Sequence, residues 1–267
     1  MPFESADAYR KFSHATKHDR RYIYEHEVEK FLDAVIETTI SRTAPLKAGS
    51  ILWRAQLGSD WRIRDEGSAE ELEEEIPFFE ARMKPLPSLV KDGRANPRGI
   101  AYLYLATNST TAGSELRPWL GATISMSQFR TKRELRLVDC TEDRKKWPFK
   151  GFTSEMEVIP WPPEDFESVV WGDIAYSMST PYSPEESGLH YVPTQIIAER
   201  LRHDGFDGIV YRSLLAVGGT NIVLFDVKDA DPINFALYTV QKVAYTIEQS
   251  DNTWFTSKNS LPEQPLK

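Results

Sequence analysis

An α+β fold is expected for this chain on two observations. Segments with helical periodicity are mixed irregularly with short segments of strand-like alternation, and no regular strand–helix–strand alternation or internal repeat is present. The length of 267 residues suits one large domain or two small ones and allows a substantial core. Hydrophobic residues make up 40%, and seven tryptophans are present, which excludes a natively disordered chain. With 32 Lys and Arg against 40 Asp and Glu the net charge is −8, so broad binding to nucleic-acid phosphates is not expected. No apolar run reaches membrane-spanning length, and Met1-Pro2-Phe3-Glu4 does not begin a signal peptide, so a soluble, cytoplasmic protein without membrane contact is expected. The single cysteine, Cys140, excludes an internal disulfide and a multi-cysteine zinc site.

Between Arg20 and Thr43, Val28, Phe31, Leu32, Val35, Ile36 and Ile40 recur at three- and four-residue steps, which predicts an amphipathic helix ended by Pro45 and Gly49. Residues 1–48 balance their charges and read as an N-terminal helical segment attached to a domain over 49–250, with 251–267 as a tail. Ser50 to Gln56 predicts a strand. The acidic run from Asp65 to Glu80 predicts a solvated helix face or loop. Pro85, Pro87, Gly93, Pro97 and Gly99 mark a long loop leading to a strand over Ile100 to Ala106. A short helix is predicted from Ser109 to Arg117, then strands over Ala122 to Phe129 and Glu134 to Asp139. The basic stretch Arg130 to Lys150 reads as a solvated connection. Helices follow over Pro163 to Met178 and Val192 to His203, the second ended by Gly205. Strands over Asp207 to Ser213 and Asn221 to Val227 and a β-rich stretch from Ile233 to Ile247 complete the reading.

Several chemistries lack their residues. There is no Gly-x-Gly-x-x-Gly and no phosphate-binding Gly-Lys-Ser/Thr loop, so any nucleotide would be held by side chains and irregular loops. His14 and His18 are four residues apart without a supporting ligand set, so no metal is expected. Cys140 ends an apolar strand and reads as an inert buried thiol, and Ser114 lies outside a nucleophile elbow.

The more specific signal is distributed. It comprises Trp53-Arg54-Ala55 on the first strand of the domain and the basic loop Gly93-Arg94-Ala95-Asn96-Pro97-Arg98-Gly99. Tyr104 on the next strand and Glu115 on the following helix come after it. Pro193-Thr194-Gln195 opens a helix, the string Gly205 to Ser213 follows, and Asn221-Ile222-Val223-Leu224-Phe225 closes the set. Singly, each residue has an ordinary reading: a paired core arginine, a half-buried strand tyrosine, a surface glutamate or a turn-capping serine. In this order the sequence resembles the RES-domain family over about Gly49 to Val227, with Arg54, Glu115 and Ser213 at the positions of the family's Arg, Glu and Ser. It departs from the family pattern at Ala95, where tryptophan is frequent, and by long insertions at about residues 60–85 and 140–185.

The resemblance implies an ADP-ribosyltransferase-like core of two packed β-sheets with surrounding helices, and a toxin-like enzyme that breaks the nicotinamide–ribose bond of NAD⁺, with water or phosphate as acceptor. In that role Arg54 would bind the diphosphate with Arg94 as a second contact, and Tyr104 would stack on nicotinamide or its ribose. Glu115 would stabilise the oxocarbenium-like charge, and Ser213 and Asn221 would contribute polar contacts. No cofactor beyond NAD⁺ as substrate and no metal is implied. The partners implied are NAD⁺ and a neutralising protein such as an Xre-like antitoxin, and the helical segment is a candidate for homodimer formation or regulation. Transfer of ADP-ribose to a protein, or an inactive partner-binding scaffold, are the alternatives.

Overall fold

A computed structural model describes residues 2–65, 67, 72–141 and 161–249. In chain order its elements are α1 (Ala8–His14), continued by a π-helical turn at Ala15–Asp19, α2 (His26–Thr38), and the strands β1 (Thr43–Leu46), β2 (Ile51–Leu57), β3 (Asp60–Arg64) and β4 (Leu72–Ile76). Next come α3 (Glu80–Met83), β5 (Leu103–Ala106), α4 (Ser109–Ser114), β6 (Thr123–Thr131) and β7 (Leu135–Cys140). The helices α5 (Phe166–Ser179), α6 (Pro184–His190) and α7 (Val192–His203) precede β8 (Gly208–Arg212), β9 (Thr220–Leu224), β10 (Ala230–Pro232) and β11 (Ala236–Thr239).

The strands hydrogen-bond in the order β1-β7-β8-β9-β5-β2-β6-β10, with β11 also on β6; β7 and β8 run parallel and the other neighbours antiparallel. The β2–β5 junction is a seam, paired only at Trp53 opposite Ala106. It divides the strands into a half with β1, β7, β8, β9 and β5 and a half with β2, β6, β10 and β11. Alternation along the first half sorts its side chains between two clusters. Val138, Ile209, Tyr211, Val223 and Phe225 face a core built with α1, α2, α5 and α7. Leu137, Ile222 and Leu224 face a second core that contains Leu52 and Phe129 of the other half. The period of two places helices on one face and the second half on the other, a layered arrangement that suits the expected α+β class.

The parallel β7–β8 pair is tied at its start by Asp207, which accepts from the Arg133 guanidinium at 2.6 Å and from the Arg136 amide at 2.7 Å. Burial opposes the Asp207 charge, but these donors outweigh it and lower its pKa. A lowered carboxyl pKa adds stability above the ordinary aspartate value of 3.8 that is lost as pH falls through the lower folded value. The wild type is therefore expected to lose melting temperature more steeply than Asp207→Asn between about pH 5 and pH 2 in calorimetric scans.

Three expectations change. Residues 1–48 are mostly helical, but they also supply β1, and the helix begins at His26 because residues 20–25 form irregular backbone. Within the acidic run, Leu72–Ile76 is a strand paired with β3, where Arg62 meets Glu74 at 2.7 Å and Ser59 donates to Glu75 at 2.6 Å. Opposite charges across the ladder offset the repulsion that argued against a strand. From Ile233 to Ile247 only Ala236–Thr239 forms a strand. The tail beyond residue 250 and residues 142–160, within the second insertion and the basic stretch, lie outside the described residues.

Candidate active site

The strand and helix ends at the β2–β5 seam bring the chemistry-bearing side chains together. Glu115 follows the last turn of α4, a helix started by Asn108, whose side chain accepts from the Thr111 amide at 2.8 Å. Glu115 Oε1 accepts from Ser213 Oγ at 2.7 Å and from Asn221 Nδ2 at 2.6 Å. Ser213, just past β8, is oriented because its oxygen also accepts from the Leu215 and Ala216 amides at 3.2 and 3.1 Å, leaving its proton for the carboxylate. Asn221 sits on β9 between Ala106 and Tyr211 and is buried. Oε1 is thus engaged twice. Oε2 faces Arg94 Nη1 at 3.5 Å, a long contact that leaves it able to accept from a ligand hydroxyl.

Arg94 projects from the loop before β5. Its Nη2 donates to Ser179 O at 3.3 Å, and its guanidinium lies 5.8 Å from the Tyr211 ring centre and 5.9 Å from that of Tyr191. Burial works against its charge, but Tyr211, Tyr191 and Glu115 outweigh that effect and raise its pKa. The loop needs glycine at its first position. A Cβ on Gly93 would lie 2.6 Å from the Tyr104 hydroxyl and closer still to Asn96 Oδ1. Tyr104 donates to Asn96 Oδ1 at 2.7 Å and accepts from the Ala95 amide at 3.0 Å. Burial raises the pKa of its hydroxyl, which keeps the donating proton in place. Ala95, where tryptophan was the family expectation, is a fully buried member of this loop.

Arg54, on β2, reaches across the seam and donates from Nη1 to Tyr104 O at 2.9 Å. Its Nε is buried without a partner, and no carboxylate among the described residues pairs with it. Burial lowers its pKa to about 10, the mark of a cation that lacks a compensating anion.

Arg54, Arg94 and Tyr104 line a cleft of about 500 Å³, the size range of small-molecule sites. Its walls carry five cations, Arg54, Arg82, Lys84, Lys91 and Arg94, against one carboxylate, Asp92. The cleft therefore favours an anionic ligand although the chain is acidic overall. Glu115, Ser213 and Asn221 do not line this cleft, and Arg94 connects the two groups. All six expected residues are thus linked through a few contacts. Sequence reasoning assigned no role to Asn96, Thr194, Gln195 or Tyr211, although all four lay in the quoted strings, and it missed Tyr191, Arg82 and Lys84. The tyrosines looked like ordinary core residues and the cations like surface charge.

Cys140 is buried at the end of β7. Among the described residues no group of three or more His, Cys, Asp or Glu is placed to hold a metal ion, and no helix is long and apolar enough to cross a membrane.

A family model for the RES domain matches residues 51–248, most of the chain, and takes in all six site residues. The chain belongs to the RES family. No curated protein matches it. Three chains of solved structures do. One is from the M. tuberculosis MbcT–MbcA toxin–antitoxin complex, at 12% identity and a TM-score of 0.37, covering 77% of this chain and 92% of that one. The RES model begins at β2 and so excludes α1, α2 and β1.

Proposed function

We propose that this RES protein consumes NAD⁺ by cleaving the bond between nicotinamide and ribose, giving nicotinamide and ADP-ribose with water as acceptor. The observation that carries the proposal is the Glu115 carboxylate, with one oxygen held by Ser213 and Asn221 and the other facing Arg94, beside a cleft whose cations exceed its carboxylates. The cleft cations suit the diphosphate, with the unpaired Arg54 as the main contact and Arg94 as a second. Tyr104 presents its ring, since its hydroxyl is committed to the loop. Glu115 Oε2 would accept from a ribose hydroxyl and stabilise the positive charge that develops at the anomeric carbon. The bonding pair leaves with nicotinamide, which departs neutral, and water adds at the anomeric carbon and releases a proton. Nicotinamide is a good leaving group, so this route uses neither a metal nor a catalytic histidine.

An enzyme that destroys NAD⁺ needs restraint, and a neutralising protein of the Xre antitoxin type is the partner this proposal includes. Mass spectrometry of NAD⁺ incubated with the purified protein, with and without phosphate, is the direct test. Nicotinamide and ADP-ribose in equal amounts support the reading, a phosphorylated ADP-ribose formed only with phosphate would change the acceptor, and intact NAD⁺ would overturn it. Label carried from NAD⁺ onto a protein would replace hydrolysis by ADP-ribosyl transfer.

Arg54 separates binding from folding. Arg54→Gln removes a half-buried cation that lacks a counter-charge, so its melting temperature is expected to equal or exceed that of the wild type. Its affinity for ADP-ribose, read by calorimetry, is expected to fall at least about tenfold, because charge-assisted contacts to phosphate are among the strong ones.

A further inference from the structure

Helix α7 turns two polar side chains onto the loop that lines the cleft, and neither has a part in the chemistry above. Gln195, 7% exposed, donates from Nε2 to Gly93 O at 2.9 Å and to Asn96 O at 3.0 Å. Thr194, 1% exposed, places its hydroxyl 2.5 Å from Arg94 O and 3.0 Å from Tyr191 O. A buried amide must satisfy both of its hydrogens, and here both go to the main chain of one short loop outside any helix or strand. From the other side Tyr104 holds the same loop through Ala95 and Asn96. Residues 93–96 are therefore gripped from α7 and from β5, and Arg94 extends from the grip toward the cleft and Glu115.

We propose that Gln195 is a positioning residue, which holds the loop in the shape that presents Arg94 to the dinucleotide and so sets substrate affinity more than bond cleavage. This kinetic consequence rests on the NAD⁺ reading; the grip itself does not. Affinity is the sensitive quantity because Glu115 takes its own support from Ser213 and Asn221, beyond the reach of Gln195, while the contact from Arg94 to Glu115 is long.

Gln195→Met keeps the length of the side chain and removes both donors. Its KM for NAD⁺ is expected to rise about tenfold with kcat within about threefold of wild type, the effect of losing uniform binding. A purely structural role would lower the active fraction, and hence the apparent kcat, at unchanged KM, and that result would overturn the proposal. Thr194→Val, which removes the neighbouring hydroxyl with little change of shape, is expected to raise KM in the same direction and decides the matter should Gln195→Met fail to fold. Hydrogen exchange reads the grip without activity. The Ala95 amide is expected to exchange at least about tenfold faster in either variant while the α7 amides keep their protection. If the wild type leaves NAD⁺ intact, the NAD⁺ reading fails and exchange alone decides the grip, and unchanged Ala95 protection refutes it.

Discussion

Glu115→Gln is expected to reduce NAD⁺ consumption at least about a hundredfold, the cost of removing one preorganised electrostatic contact to a transition state. The fold should not change. The substituted amide oxygen can still accept from Ser213 Oγ and Asn221 Nδ2, the two bonds that anchor Glu115 at 2.7 and 2.6 Å. Only the oxygen facing Arg94 becomes a donor, and Arg94 keeps its bond to Ser179 O. The loss should appear in kcat, because the negative charge matters most when positive charge develops on the ribose. Initial rates of nicotinamide release and a melting curve, taken on one preparation, check both halves. Wild-type turnover in Glu115→Gln would remove the carboxylate from the mechanism.

A chain beginning at residue 49 is expected not to fold. The RES model starts at residue 51, so a boundary drawn from the family alone would cut there. The segment before it is part of the main core: Phe3, Tyr9, Phe12, Val28, Phe31, Leu32 and Val35 are buried with Val138 of β7, Trp171 and Ile174 of α5 and Leu201 of α7. Trp171 is fully buried and donates from Nε1 to Thr38 at 2.9 Å. Arg200 on α7 pairs with Asp33 at 2.8 Å, and β1 covers the edge of β7. Each large apolar side chain returned to water costs about 1.5–3 kcal/mol. Several exposed together exceed the roughly 5–15 kcal/mol by which a domain is stable. Circular dichroism through a thermal ramp should show no cooperative transition in the shortened chain. A sharp transition near the wild-type temperature would show that the helical segment can be removed.

Much of this architecture was readable in the residues. α7 was placed at its observed ends because Ile196, Ile197 and Leu201 share a face and Gly205, at a φ of +84°, supplies the left-handed turn that ends a helix. The strands carrying Arg54, Tyr104 and Asn221 were legible as short runs of β-branched, aromatic and other apolar residues bounded by turn signals. Helix α6 was missed although Ser183 caps it by accepting from the Glu186 amide at 3.3 Å, because the segment has few apolar residues to reveal a period. The strand β4 was missed because its stability lies in β3, and a run of glutamates read alone says only that it prefers water.

The sequence by itself determined the α+β class, the positions of the strands and helices that bear the site, and the residue types at positions 54, 94, 104, 115, 213 and 221. These are local matters of periodicity, turn chemistry and motif order. Tertiary structure alone decided that Ser213 and Asn221 share one oxygen of Glu115, that Tyr104 spends its hydroxyl on the Arg94 loop, and that Arg54 is a half-buried cation without a carboxylate among the described residues. The Glu115 and Arg54 contacts join residues far apart in the chain, and the shorter Tyr104 link joins a strand to an irregular loop, so all three depend on how sheet, loops and helices close around one another, which no single segment encodes.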